Sequence, residues 1–140
     1  HVKPALVERL GVRYIDRVTG DALSDISKLV RPEVLGVIAI PALKHTRHSI
    51  AETIFELPED KAQLIARWGL LPAKATVDPS AIEAIDESSW VLDIDMFSQE
   101  QSSFLPEDIV ASARRYTERL YAVFRWAVTK DFLRLYGGKP

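Results

Sequence analysis

The chain of 140 residues has no cysteine. This absence excludes disulfides, thiolate nucleophiles and cysteine-based zinc or iron–sulfur sites, and it is typical of a reducing compartment. We therefore expect a cytoplasmic protein. An excess of charge of one sign is also missing, because 18 Lys and Arg residues nearly balance 20 Asp and Glu residues and leave a net charge of -2. That balance gives no general attraction to nucleic acid or to anionic membranes.

Long hydrophobic runs are absent as well. Residues 34–42 form an apolar run that is too short to cross a bilayer, and the N-terminus lacks the charged and then apolar pattern of a signal peptide. We therefore expect no membrane partner. A chain of 140 residues fits one domain, residues 1–140, with a single core. Because the chain starts at His1 rather than at methionine, we expect a fragment of a longer protein.

Four segments have the composition and alternation of β-strands. They are residues 5–18, 45–57, 61–71 and 90–97. In the first segment we expect a bulge at Gly11. Pro58 lies at the second position of a tight turn, so the second and third segments predict a hairpin.

Two irregular segments separate these strands. Residues 24–40 are typical of two short helical turns that are interrupted at Pro32. Residues 72–89 contain prolines and several acids, and they predict a long connection in which Asp78 and Pro79 open one helical turn.

The C-terminal part of the chain predicts a long helix that begins at Pro106, because proline at the first helical position needs no N–H partner. Its apolar stripe consists of Ile109, Ala113, Tyr116, Leu120, Val123 and Ala127. Asp131 falls in the same stripe, where an unpaired carboxylate is costly, so we expect the helix to break near Thr129 and to end at Gly137. These segments predict an α+β domain, in which an antiparallel sheet of about four strands carries the helix on one face.

Strict alternation along residues 90–97 (WVLDIDMF) divides the side chains between the two faces of one strand. The first face is apolar and is expected to meet the helix. It holds Trp90, Leu92, Ile94 and Met96. The second face is expected to be charged and in contact with water. It holds Val91, Asp93, Asp95 and Phe97.

Asp93 and Asp95 are the best chemical lead in the chain, and they have two interpretations. Two carboxylates at this spacing suit a divalent cation such as Mg²⁺, and Glu52 or Glu56 on a neighbouring strand is a candidate third ligand. The alternative is that the carboxylates pair with basic residues of other strands. The arginines available for such pairs are Arg13, Arg17 and Arg67.

His45 and His48 form a weaker metal candidate. They would share one face with Glu52 only if their segment were helical. The β-branched residues that follow them favour a strand, in which the two histidines point to opposite faces.

A second apolar line on the predicted helix points to a partner surface. It consists of Ala122, Trp126, Leu133 and Tyr136 and lies roughly opposite the first stripe if the helix is continuous. A large aromatic side chain that points away from its own core is typical of an interface. The alternative is that the break near Thr129 turns Leu133 and Tyr136 back onto the core.

Four arginines on the same helix are candidates for phosphate contacts. They are Arg114, Arg115, Arg119 and Arg125. A solvated helix face is the simpler interpretation at this net charge, so we do not expect a nucleic-acid partner.

The order of four segments resembles a sporadically distributed family of uncharacterised prokaryotic proteins. The segments are RLGVRYIDRV (residues 9–18), WGLLP (68–72), VLDIDMF (91–97) and FRWAVTKDFLRLYG (124–137). The resemblance spans most of the chain and implies that it corresponds to the C-terminal half of a family member, without the N-terminal partner domain. It implies no catalytic role.

No nucleophile elbow, phosphate-binding loop or dinucleotide fingerprint is present in the sequence. We therefore expect a non-enzymatic binding or assembly domain without a cofactor, which contacts its missing N-terminal half or a second copy. The alternative is a metal-dependent phosphoryl-transfer or nucleotide-binding enzyme that uses Asp93 and Asp95.

Overall fold

A computed structural model describes residues 6–7, 9–40, 45–99, 102–103 and 105–137. The elements in chain order are β1 (Leu6–Val7), β2 (Gly11–Val18), α1 (Ile26–Leu29), α2 (Pro32–Leu35), β3 (Ser49–Leu57), β4 (Ala62–Leu71), β5 (Ser89–Ser98), β6 (Ser102–Ser103), α3 (Pro106–Ala127) and α4 (Lys130–Leu135). Short 3₁₀ turns occupy Gly20–Asp25, Gly36–Ala39 and Pro58–Asp60. The predicted α+β class is confirmed.

The main sheet has four antiparallel strands in the order β2-β5-β4-β3. The turn at Pro58–Asp60 joins β3 to β4, so the predicted hairpin is confirmed. The strand of the WVLDIDMF segment, β5, lies between β2 and β4. Asp78 opens a single turn, in which the Ile82 N–H donates to the Asp78 carbonyl at 2.8 Å, but this turn does not continue as a helix.

The first predicted strand is wrong in its extent and in its bulge. Gly11 starts β2 and pairs directly with Phe97, and the register continues one to one as far as Val18. Ahead of Gly11, the Leu10 N–H donates to Ser98 Oγ and the Leu10 carbonyl accepts from the Ser98 N–H. The chain thus leaves the main sheet at the end of β5, and β1 pairs with β6 instead.

The main core lies between one face of the sheet and the helix α3. Trp90, Leu92, Ile94 and Met96 are buried there, as the alternation predicted. From α3, the core receives Tyr116, Leu120, Phe124 and Ala127. The helix lies on β2 and β5, the two strands at one side of the sheet.

The predicted break in the C-terminal helix is confirmed. α3 ends at Ala127, and Val128 leaves the helix in an extended conformation and forms a β-bridge with Val30. Thr129 then starts α4, because its Oγ1 accepts from the Phe132 N–H at 3.3 Å and donates to the Lys28 carbonyl at 2.7 Å. The break leaves Asp131 on the exposed side of α4.

We expect the substitution Gly69→Ala to weaken the hairpin strongly. A Cβ atom at Gly69 would lie 2.9 Å from the Ile50 Cα and closer still to the Ser49 carbonyl, so β3 would have to move. The cost should reach about 2 kcal/mol or more, at the upper end of overpacking effects. Gly11→Ala is the matched control, because its nearest neighbour would be Phe97 Cβ at an ordinary 3.7 Å. Urea unfolding of both variants tests this, and equal stabilities would contradict it.

Candidate functional site

The sheet face that carries α3 is only partly covered by that helix. Strands lie about 4.8 Å apart, so four of them span about 14 Å between their outer axes. A helix with its side chains is about 10–12 Å wide. Because α3 lies on β2 and β5, part of the apolar surface of β4 and β3 stays open beside it.

This opening is an apolar groove with a cavity volume of about 430 Å³. β3 and β4 form its floor and α3 forms one wall. The lining residues are Phe55, Leu57, Leu64, Ala66, Trp68, Arg119, Ala122, Val123 and Trp126. We use the term groove for this set. Its volume lies within the range of ligand pockets, which hold about 300–1,000 Å³.

Two residues of the predicted interface line the groove. Ala122 is exposed, and the Trp126 side chain is 45% exposed. The Trp126 ring is held in place by Arg31, whose guanidinium carbon lies 5.1 Å from the ring centroid and whose Nε donates to the Trp126 carbonyl. A cation–π contact and a hydrogen bond therefore fix this wall of the groove.

The other two residues of the predicted interface do not belong to this surface. Leu133 is only 7% exposed and lies in the main core, which corrects its assignment to a partner surface. Tyr136 is half-exposed, but its ring packs on Phe132 at a centroid distance of 4.7 Å and does not line the groove. The physical reason is the break at Thr129, which separates the direction of α4 from that of α3.

Acidic residues of the β3–β4 turn meet arginines at the end of the groove. Arg119 Nη2 lies 3.0 Å from Glu59 Oε1 and 3.1 Å from Asp60 Oδ2. Arg115 Nε lies 3.8 Å from Asp60 Oδ1. Two of the four helix arginines are therefore partly neutralised, which weakens the case for phosphate contacts.

On the opposite face of the sheet, Asp93 is the centre of an ion-pair ladder. The Asp93 side chain is 1% exposed. Arg13 of β2 binds it with two hydrogen bonds, from Nε to Oδ1 at 2.8 Å and from Nη2 to Oδ2 at 2.7 Å. Arg67 of β4 donates to Asp93 Oδ2 at 3.3 Å and to Glu52 Oε1 of β3 at 2.8 Å. The ladder thus links all four strands of the main sheet.

The long connection between β4 and β5 covers part of the ladder. Asp78 Oδ2 accepts from Arg13 Nη1 at 2.9 Å. Hydrogen bonds from Ser80 and then from Arg13 lower the pKa of Asp78. The hydrogen bond to Asp93 raises the pKa of Arg13, so that this guanidinium stays charged. These bonds are charge-assisted, and such bonds are stronger than neutral ones.

The expectation of a wet, charged second face is therefore wrong for Asp93 and for Val91. Val91 is buried in a small apolar cluster with Leu71 and Ile82, and Ile50 packs against this cluster. Ile82 belongs to the connection between the strands, which folds over this face. The alternation along β5 predicts which face each side chain lies on. It does not predict that a long connection covers the charged face.

The acids of the proposed metal site do not converge. Glu52, Arg67 and Asp93 are directly opposite one another on β3, β4 and β5, so a guanidinium lies between the two acids. Asp95 lies on the same face of β5, but its Oδ2 is 3.7 Å from Arg9 Nη2 instead of beside Asp93 and Glu52. Within the described parts of the chain, no group of three His, Cys, Asp or Glu side chains is placed to hold a metal ion.

The alternative interpretation of Asp93 was that it pairs with arginines of other strands. Two of the three arginines named from the sequence do bind it. Arg13 and Arg67 bind Asp93, whereas Arg17 donates from Nε to Ser89 Oγ at 3.1 Å and from Nη1 to the Glu83 carbonyl.

The two histidines that were considered as metal ligands lie outside the strands. His45 is in a turn and His48 lies just before β3, which begins at Ser49 instead of residue 45.

Asp16 is a titratable residue that the sequence analysis did not single out. It lies on the helix-bearing face of β2, where burial raises the pKa of its carboxyl group and a hydrogen bond from Tyr14 partly offsets this effect. Asp16 Oδ2 is buried and has no hydrogen-bond partner among the residues that the structure describes. The alternation of β2 could have indicated it, because Val12, Tyr14, Asp16 and Val18 share one face.

Comparisons with known proteins add no further information. No protein-family model, curated protein or solved structure matches the chain. In the described part of the chain, no helix has both the length and the apolar character that crossing a bilayer requires.

We expect the substitution Asp93→Asn to destabilise the fold by about 3–5 kcal/mol, because it leaves two guanidinium groups without their shared buried carboxylate. Asp95→Asn is the control on the same strand and face. Its pair with the exposed Arg9 is long, so the loss should stay below about 1 kcal/mol. Urea unfolding of both variants measures the difference. Similar losses for the two variants would show that the ladder does not stabilise the sheet.

We expect Asp16→Asn to stabilise the protein at neutral pH but not at low pH. The pKa of Asp16 is raised above its ordinary value of 3.8, so the folded state is favoured by protonation. This contribution is fully present below pH 3.8 and is lost as the pH rises through the folded-state pKa. The increase in stability caused by the substitution should therefore be absent below pH 3.8. It should reach a constant value once the pH is above the folded-state pKa of Asp16. Melting temperatures across pH measure it, with the exposed Asp86→Asn as the control, and a gain that does not change with pH would contradict the explanation.

Proposed function

We propose that this domain is a non-enzymatic binding or assembly module and that the groove is the surface that it offers to a partner polypeptide. The observation that carries the proposal is the groove itself, an apolar cavity of about 430 Å³ on the surface of the main sheet. The partner is its own N-terminal half or a second copy of the chain.

Two features of the groove support a role in binding. Its walls are held by contacts within the domain, including the Arg31 contact with Trp126 and the ion pairs of Arg119, so the cavity does not need to form on binding. Its surface is almost entirely apolar, and each Leu-sized or Phe-sized side chain that a partner buries there contributes roughly 1.5–3 kcal/mol. An apolar cavity beside charged residues has the anatomy of an interaction site.

The geometry does not favour the alternative, a metal-dependent enzyme that uses Asp93 and Asp95. Asp93 already accepts three hydrogen bonds from two arginines. A divalent cation would have to displace these guanidinium groups or lie against their positive charge. Heat of Mg²⁺ binding that disappears in Asp93→Asn would restore this alternative.

The test places a charge in the wall of the groove. Ala122 is exposed, so Ala122→Glu should leave the fold intact and lower the affinity of any apolar group for the groove. Ala111→Glu is the matched control, because Ala111 is exposed on the same helix and does not line the groove. We expect Ala122→Glu to weaken association at least about tenfold, a loss of about 1.4 kcal/mol. Sedimentation velocity measures self-association, and the neutral dye Nile red measures access to the groove.

If both variants melt at the same temperature as the unmodified chain, the fold is unaffected by either substitution. If both variants then matched the unmodified chain in association and in Nile red binding, the groove would not be the binding surface and the proposal would be wrong.

A further inference from the structure

The strand β3 is an edge of the main sheet and has several features of a strand that pairs with another chain. It has nine residues, and its register with β4 runs one to one from Ser49 to Leu57 without a bulge. In the described part of the chain, β4 is the strand paired with it. The unpaired N–H and C=O groups along such an edge are a template for a further strand.

Three of the devices that usually block an exposed edge, proline, lysine and a bulge, are absent from β3. Its sequence, SIAETIFEL, contains neither proline nor lysine. The other edge strand, β2, is different, because it carries Arg13 and Arg17, and both arginines bind the connection between β4 and β5.

The two glutamates of β3 are turned towards the domain itself. Arg67 Nε donates to Glu52 Oε1 at 2.8 Å, and Gln63 Nε2 donates to Glu56 Oε1 at 2.7 Å. Both partners belong to β4. The charges that could repel a second strand are therefore directed inwards along the sheet.

Apolar side chains of β3 are exposed on both faces of the sheet. Ile54, on the face of the ladder, is 55% exposed, and Phe55, on the face of the groove, is 46% exposed. A helix or a ligand placed on one face would cover only one of them. A strand added at the edge would cover both, because its own side chains alternate between the same two faces.

We propose that β3 pairs antiparallel with β3 of a second copy about a two-fold axis at Thr53, which joins the two main sheets into one continuous sheet. In this register Phe55 is opposite the small Ala51 on the groove face, and Glu52 is opposite Ile54 on the ladder face. No glutamate is directly opposite another glutamate, so the strand is complementary to itself in size and in charge. The proposal deepens the assembly function proposed above, since it names the second copy as the partner at this edge.

The pairing also changes the groove. Phe55 and Leu57 of β3 form its outer side, which is open at the edge of the sheet. In the pair, the strand of the second copy borders this side. The two grooves then lie on the same face of the joined sheet, related by the two-fold axis, which is the arrangement of an isologous interface.

The chain has no cysteine, so single cysteines can be used to test the pairing directly. Directly opposite residues of antiparallel strands have Cβ atoms about 4.5–5.5 Å apart, close to the separation of about 3.5–4.5 Å in a disulfide. We expect Thr53→Cys to form a disulfide-linked dimer under mild oxidation. Ile15→Cys, on the other edge strand, is the control and should remain largely monomeric. No cross-linking at Thr53→Cys, or equal cross-linking at both positions, would overturn the proposal.

A pair of substitutions at Ile54 gives a second test that does not depend on oxidation. In the proposed register, Ile54→Glu places a carboxylate opposite Glu52 of the second copy, twice in each dimer, and should weaken dimerisation at least about tenfold. Ile54→Lys places an ammonium group opposite the same Glu52 and should keep the dimer. Sedimentation equilibrium measures both, with circular dichroism to verify the fold.

The outcomes separate this proposal from the proposed function. A chain that stays monomeric, or that associates equally with either substitution at Ile54, would overturn the β3 pairing. If Ala122→Glu abolished the association while Ile54→Glu left it unchanged, the partner would lie in the groove alone, so the binding function would stand and the edge pairing would be wrong.

Discussion

The structure depends on the bidentate contact between Arg13 and Asp93, supplemented by Arg67. The strand that carries Asp93 is buried on both faces, and an ionised carboxylate at such a position is costly unless charged partners surround it. Two arginines from the neighbouring strands supply those partners. Arg67 is directly opposite Asp93, whereas Arg13 is opposite Asp95 and reaches Asp93 from the neighbouring position, so one carboxylate connects β2, β5 and β4. The ion pairs therefore connect three neighbouring strands, whereas the apolar core provides most of the stability.

The two faces of the sheet are covered unevenly. The long connection folds over the ladder, and its Asp78 and Ile82 cover part of the ionic face. On the other face α3 lies on β2 and β5 and α2 contacts β4, and part of β3 and β4 stays open. Both surfaces to which we assign a partner, the groove and the edge of β3, include side chains of β3. The part of the domain best suited to association is thus the part of the sheet that its own helices and connections leave exposed.

Much of the fold could be predicted from local patterns. The alternation along residues 90–97 placed Trp90 and Met96 in the core, and Asp131 indicated the break at Thr129. Errors arose where the outcome depended on distant contacts. Leu133 was grouped with Trp126 by helical spacing, but the break redirects it into the core. Asp93 was expected in water because nothing in its neighbours along the chain shows that residues 72–88 fold over it. The sequence predicted only the wall of the groove, through Ala122 and Trp126. Its floor comes from β3 and β4, and helical spacing says nothing about those strands.

The sequence by itself determined the type of each main element, the hairpin and the two chemically different faces of the central strand, since these follow from side-chain periodicity and turn chemistry within a few residues. The tertiary structure alone decided which charges meet at Asp93, which face the long connection covers and how much of the sheet the helix leaves open. Those outcomes depend on strand order and on the relative widths of a helix and a sheet. Both are properties of the assembled layers rather than of any segment.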